Sequence, residues 1–217
     1  MKNSNENYHS VGMSRFLWGN QKNTEVFRRK VDGLPLVFSI RPLDLQVDVL
    51  TLHYWVNVPY SYSFWQMKGA TSKDISRYYE EKITSETLYP FMISYGPHPI
   101  ALVEIYKVEK DELAGHIEAT PTDKGIHTLM APPRYLLTKL PQKIRNISAE
   151  ALVTALQFAF SFESIDRIYT EPHVDNFHAN ELAKQMGWAF VKEIEMESKK
   201  ANLFCFEKHT FLEMYPG

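Results

Sequence analysis

A chain of 217 residues, 44% hydrophobic and 23% charged, carries enough apolar material for one large core or two small ones. Its net charge of −2 lacks the basic excess that nucleic-acid binding normally needs, and its single cysteine, Cys205, excludes an internal disulfide and a thiolate metal cluster. No apolar run reaches transmembrane length, and the first residues lack the apolar centre of a signal peptide. A soluble, cytoplasmic protein with no membrane span and no nucleic-acid partner is expected.

Residues 1–24 are rich in Asn, Ser and Lys without periodicity and read as a tail; residues 25–217 read as one domain. VFRRKVDGLPLVFSIRP predicts two short strands about a turn at Asp32-Gly33. In LDLQVDVLTLHYWVN the spacing of Leu43, Val47, Leu50 and Tyr54 predicts a helix with these residues on its buried face. Thr71 and Asp74 have capping-box spacing at the start of a second helix, TSKDISRYYEEKIT. FMISY and IALVEIY read as a hairpin about Gly96-Pro97-His98-Pro99. LAGHIEA and GIHTLMA read as two further strands, and residues 132–147 as a polar, basic connection. SAEALVTALQFAFSF is an apolar helix with Ser148 as its N-cap. RIYTEP is a strand, Asn176 caps a helix closed by Gly187, and WAFVKEIEM and ANLFCFEKH end the chain as paired strands.

Two polar residues stand out inside apolar strands. His127, in GIHTLMA, is either a packed core histidine or a ring facing a cavity where it moves protons. Glu104, in ALVEIY, needs a partner if buried: an internal Arg or Lys, or the ammonium of a substrate. Cys205, in NLFCF, reads as a small buried hydrophobe. The eight histidines show no ligand spacing backed by a further carboxylate or cysteine, so no metal site is expected.

The order of elements, together with HYWVNVPYSYSFWQMKG, VEIYKVEKDEL, TDKGIHTLMAPP, RIYTEPHVDNFHANELAKQMGWAF and KKANLFCFEKHTF, resembles the siderophore-biosynthesis branch of the GNAT acyltransferases, from about Val26 to Phe211. That branch includes the acyltransferases of the alcaligin, rhizobactin and aerobactin pathways and the mycobactin lysine acyltransferase. The resemblance implies an α/β GNAT fold, a central mixed, mostly antiparallel sheet flanked by helices. It also implies transfer of an acyl group from acetyl- or succinyl-coenzyme A to an N-hydroxylated diamine or N6-hydroxylysine, giving a hydroxamate. Other enzymes of the pathway are the implied protein partners. Acylation of a plain amine, and a fold retained for binding alone, are the alternatives.

On the same resemblance His127 is the implied base, with Asp175 to orient it, accept the proton or bind a cationic end of the substrate. His173 competes for that role: it stands at the family's usual Asp, and Asp175 at its usual Arg, in EPHVDN. The coenzyme is expected along the main chain of Leu129, Met130 and Ala131, at the Ser148 helix start with Lys139, Lys143 and Arg145, and near Asn176. APPRYLLTKLPQKIRNIS, where the family commonly has a glycine-rich pyrophosphate loop, contains no glycine. His53, Trp55, Trp65, Glu104 and His173 are the expected walls of the acceptor pocket.

Overall fold

The computed structural model describes residues 24–216. The expected tail therefore lies outside the described residues but for Thr24. Among the described residues eight strands form one sheet: β1 (Phe27–Arg29), β2 (Phe38–Pro42), β3 (Leu88–Tyr95), β4 (His98–Lys107), β5 (Asp123–Met130), β6 (Arg167–Thr170), β7 (Ala189–Glu195) and β8 (Lys200–Glu207). Their order is β1-β2-β3-β4-β5-β6-β8-β7, and all neighbours are antiparallel except β5 and β6.

Among the described residues seven helices accompany the sheet: α1 (Leu45–Val56), α2 (Pro59–Tyr62), α3 (Ser72–Thr84), α4 (Pro133–Lys139), α5 (Ile147–Phe160), α6 (Phe177–Gln185) and α7 (Lys208–Met214). One core joins α5 to the sheet, with Phe91, Ile126, Leu156 and Phe158 buried in it. The second, on the other face, joins α1 and α3 to Leu102, Tyr106 and Leu129 through Leu52, Trp55, Ile75 and Tyr79. This is the mixed, mostly antiparallel α/β arrangement that the sequence implies.

Local chemistry explains most of the element ends. Asp44 caps α1 by accepting from the Gln46 N–H, and Thr71 and Asp74 form both halves of the predicted capping box. Asn176 caps α6 through the Ala179 N–H, and Gly187 follows its end at φ +87°. The turn at Gly33 and the hairpin at Gly96 both use positive φ.

Four expectations are corrected. On α1 the outward face is the predicted apolar stripe: Leu43, ahead of the helix, is buried, but Val47 and Leu50 are 56% and 72% exposed and Tyr54 is also exposed. A buried ion pair fixes the rotation instead. Asp48 receives both Arg41 guanidinium nitrogens at 2.6 and 2.7 Å, which turns Asp48, Leu52, Trp55 and Val56 inward. LAGHIEA is not a strand, because Asp111 accepts from the Leu113 N–H and starts a 3-10 turn over Glu112–Gly115. The connection after β5 contains α4. The last strand runs directly into α7, which packs Phe211 against Phe160 and Phe206.

Candidate active site

β5 and β6 are paired only from Asp123 to Gly125, against Arg167 to Tyr169. Beyond Thr170 the chain stays with β8: the Asn202 N–H donates to the Pro172 carbonyl, the Val174 N–H to the Lys200 carbonyl, and His173 bridges Ala201. The sheet therefore splits beside Ile126–Met130. The Ala131 N–H donates to Ile100 O, so in an antiparallel ladder of unbroken register Leu129 and Ala131 direct their main-chain groups to β4. Thr128 and Met130 then direct theirs into the split. The expected main-chain edge of Leu129 to Ala131 is thereby reduced to Met130 and joined by Thr128.

His127 and Glu104 lie directly opposite one another on β5 and β4. Their side chains share the face covered by α1 and α3. Glu104 is buried, and its partners are neither of the two expected kinds: Tyr79 Oη donates to Oε1 at 2.7 Å, and His127 Nδ1 stands 3.2 Å from Oε2. The other ring nitrogen, Nε2, is 2.5 Å from Glu171 Oε1. Tyr106 Oη donates to Glu171 Oε2 at 2.8 Å, and Lys199 Nζ donates to Oε1 at 3.3 Å and to the Glu171 carbonyl at 2.6 Å. The Tyr106 ring also lies against the imidazole, with centroids 4.7 Å apart.

The electrostatics follow from this enclosure. Burial works against a charged His127, but Glu171 and Glu104 overcome it and raise its pKa to about 10. Burial likewise opposes a charged Glu171, and the imidazolium, with Lys199 and Tyr106, overrides it and lowers the carboxyl to about 2. Near neutral pH both shifts favour an imidazolium paired with the Glu171 carboxylate. The His127 side chain is still 32% exposed, so the ring has an open side while both carboxylates are sealed.

Gly125 makes room for this arrangement. It faces Tyr106 across the ladder, and a Cβ there would overlap the Tyr106 ring. Gly125→Ala is expected to cost about 2 kcal/mol through overpacking, on the order of 5 °C in thermal midpoint. Gly115→Ala, where a Cβ meets nothing within 4 Å, is the control expected to stay close to wild type. Equal midpoints for the two variants in a thermal melt would contradict the packing described.

The remaining predicted residues sort by distance from this cluster. Trp65 reaches it, edge-on to His127 at 6.4 Å. His173 packs on Phe64 at 5.9 Å, and its Nδ1 accepts from the Asp175 N–H. Asp175 does not orient His127: its side chain is 83% exposed and lies 3.7 Å from His173, and the nitrogens it was expected to serve are taken by Glu104 and Glu171. Trp55 is fully buried against Tyr135 and is core, not pocket wall. His53 is half-buried on α1, and its carbonyl binds the Asn57 side chain. Asn176 uses its side-chain oxygen on the α6 cap.

Ser148 is not an N-cap. Asn146 takes that place at φ 56°, without a side-chain cap bond, and the helix begins at Ile147. Asn146 thus holds the left-handed conformation, which asparagine tolerates best after glycine. The α5 start has uncapped first-turn N–H groups, with exposed Lys143 and Arg145 just before it, which suits a pyrophosphate. Glu171, Tyr79, Tyr106 and Lys199 were not anticipated. Glu104 was singled out as an acid inside an apolar strand, whereas Glu171 follows the short strand β6 and lacks that signal. Among the described residues no group of three His, Cys, Asp or Glu is placed to hold a metal, and no helix is long and apolar enough to cross a membrane.

Comparison with known proteins places the fold. The family model described as an acetyltransferase (GNAT) domain matches residues 44–196. The chain is similar to the N(6)-hydroxylysine O-acetyltransferase of Escherichia coli, 24% identical over 86% of this chain and 57% of that protein, so it spans little more than half of that relative's length. It is also similar to lysine N-acyltransferase MbtK of Mycobacterium sp. (strain MCS), 26% identical over 79% of this chain and 67% of the relative. Among solved structures, an uncharacterised Bacillus halodurans protein superposes with a TM-score of 0.77 at 22% identity, covering 89% of this chain and 95% of that one. An aminoglycoside acetyltransferase, AAC(6')-Ib, solved with coenzyme A, superposes at 0.70 with 17% identity, covering 81% and 98%. At these identities the structures speak for the fold.

Proposed function

The chain belongs to the GNAT acetyltransferase family, and from that premise we propose that it transfers an acyl group from acyl-coenzyme A to the nitrogen of an N-hydroxylated amine, a hydroxylated diamine or N6-hydroxylysine, as a step of siderophore synthesis. The relative named for hydroxylysine supports a hydroxylated acceptor, and the relative named a lysine N-acyltransferase supports transfer to nitrogen. The observation that carries the reading is the His127 cluster standing beside the split between β5 and β6. The split offers main-chain partners to pantetheine amides at Thr128 and Met130, and the α5 start with Lys143 and Arg145 suits the phosphates.

A hydroxylated amine is weakly basic, so its nitrogen is neutral near pH 7 and can attack without prior deprotonation. The C–N bond forms as the carbonyl electrons move to oxygen. Collapse then breaks the C–S bond, leaving a proton in excess on nitrogen and an electron pair on sulfur. His127, holding a proton at rest, releases its longer bond to Glu104, gives that proton to sulfur and takes the one leaving nitrogen. One proton goes out and one comes in, so the cluster ends as it began. The products are a hydroxamate and the coenzyme thiol. Glu171 and Glu104 act through the ring, holding its charge and orientation.

The test offers cadaverine and N-hydroxycadaverine side by side with acetyl- and succinyl-coenzyme A, following thiol release and the coloured ferric complex of the product. Faster turnover of N-hydroxycadaverine, with the ferric colour of a hydroxamate, is expected. Faster turnover of cadaverine would move the acceptor class to plain amines. Thiol release without ferric colour would contradict transfer to nitrogen.

A further inference from the structure

One oxygen of the cluster meets two cations. Glu171 Oε1 lies 2.5 Å from His127 Nε2 and accepts from Lys199 Nζ at 3.3 Å, while Oε2 accepts from the Tyr106 hydroxyl at 2.8 Å. Lys199 Nζ is fixed by a second bond, to the Glu171 carbonyl at 2.6 Å, and its side chain is largely buried. On the other side of the ring there is no such cation: among the described residues Glu104 is ion-paired with His127 alone. Lys199 ends the turn between β7 and β8, and that turn is built without its side chain. The Met196 N–H donates to the Lys199 carbonyl at 2.8 Å, the Glu197 N–H to Glu112 Oε1, and Gln66 Nε2 to Ser198 Oγ at 2.8 Å. The next residue, Lys200, turns away to Glu193 at 2.5 Å.

Two cations on one carboxylate oxygen divide its attraction, and each disfavours the charge of the other. The ring is therefore held less firmly than Glu171 alone would hold it. When His127 gives its Nδ1 proton to the leaving sulfur, Lys199 is the cation that stays on Glu171. We infer that Lys199 is a positioning residue of the transfer step: by sharing Glu171 Oε1 with the ring it loosens the carboxylate's hold on the ring's charge and lets His127 act as an acid. This inference rests on the acyl-transfer reading above. The other polar groups around the ring do not do this. Glu104, from β4, bonds the ring at Nδ1, and Tyr106, from β4, and Tyr79, from α3, are kept protonated by burial and add no charge. The balance matters because the ring already stands at about 10, and an acid held further from the working pH gives its proton more slowly.

An NMR titration of the His127 ring and a pH–rate profile, both on the full chain, test it. In Lys199→Met the ring is expected to titrate about one unit higher than in the wild type, and the alkaline limb of the profile should move up with it. Near pH 7 kcat for N-hydroxycadaverine should fall about threefold to tenfold, with both KM values unchanged. The direction separates this role from a structural one. If Lys199 only kept Glu171 in place, its loss would loosen the carboxylate, and the ring would titrate lower. Lys199→Gln keeps a donor for the Glu171 carbonyl without the charge; it should show the same upward shift and serves should the first variant fold poorly. Lys200→Met removes an equal charge one residue away and should leave the ring and kcat as they are. A downward or absent shift in both Lys199 variants, or an equal upward shift in Lys200→Met, would overturn the proposal. A wild type inactive on every amine overturns the role in transfer through the acyl-transfer reading itself. The titration needs no substrate, so it tells that failure from a failure of the shared oxygen.

Discussion

Replacing His127 with alanine is expected to lower kcat about 10²–10⁴-fold, the range for loss of an acid–base group. Circular dichroism should be unchanged, and the thiol-release assay supplies the rate. The expectation depends on what surrounds the ring. Both nitrogens face carboxylates that are otherwise buried, and Tyr79, Tyr106 and Lys199 give those carboxylates partners once the ring is gone. The fold therefore has means to survive the change while proton transfer does not. His127→Ala at wild-type rate would reduce the histidine to packing.

Glu171→Gln is expected to act on the same step from one residue away. Glu171 is the largest of the influences that raise His127, so without its charge the ring should fall from about 10 toward the ordinary histidine range near 6.5. An NMR titration of the ring reads this directly, and the alkaline limb of the pH–rate profile should move down with it. Stability follows with a definite sign. The charged ring stabilises the fold fully below its unfolded value of 6.5, and that contribution is lost as pH rises through about 10. Glu171 contributes fully above its unfolded value of 4.5 and loses its contribution as pH falls through about 2. The wild type should therefore exceed Glu171→Gln in urea resistance most clearly between about pH 4.5 and 6.5, and the gap should narrow by pH 10. A gap independent of pH would show that the two groups do not share charge as described.

How much of this was legible depends on the kind of signal each residue leaves. His127 and Glu104 could be picked out because each interrupts an apolar strand, and the ladder then sets them face to face. The caps at Thr71 and Asn176 were legible because capping is a local hydrogen bond within four residues. The α1 face was misread because its rotation is set by one pair, Arg41 with Asp48, that outweighs the apolar spacing. Asp175 was chosen by position in a motif, and the structure gives the orienting place to Glu171, four residues earlier. Lys199 leaves no periodic or local trace, because its partner Glu171 comes from the end of a different strand. The absence of glycine before α5 was readable, but the left-handed conformation of Asn146 there emerges only from the backbone.

The most direct measurement is a crystal structure with coenzyme A and N-hydroxycadaverine bound. The account predicts pantetheine in the split beside β5, hydrogen-bonded to the main chain of Thr128 and Met130, with the pyrophosphate at the Ile147 end of α5. The sulfur and the amine nitrogen should both lie within reach of the His127 ring, under Trp65. Coenzyme bound elsewhere, with the split closed and His127 still sealed between Glu104 and Glu171, would contradict it.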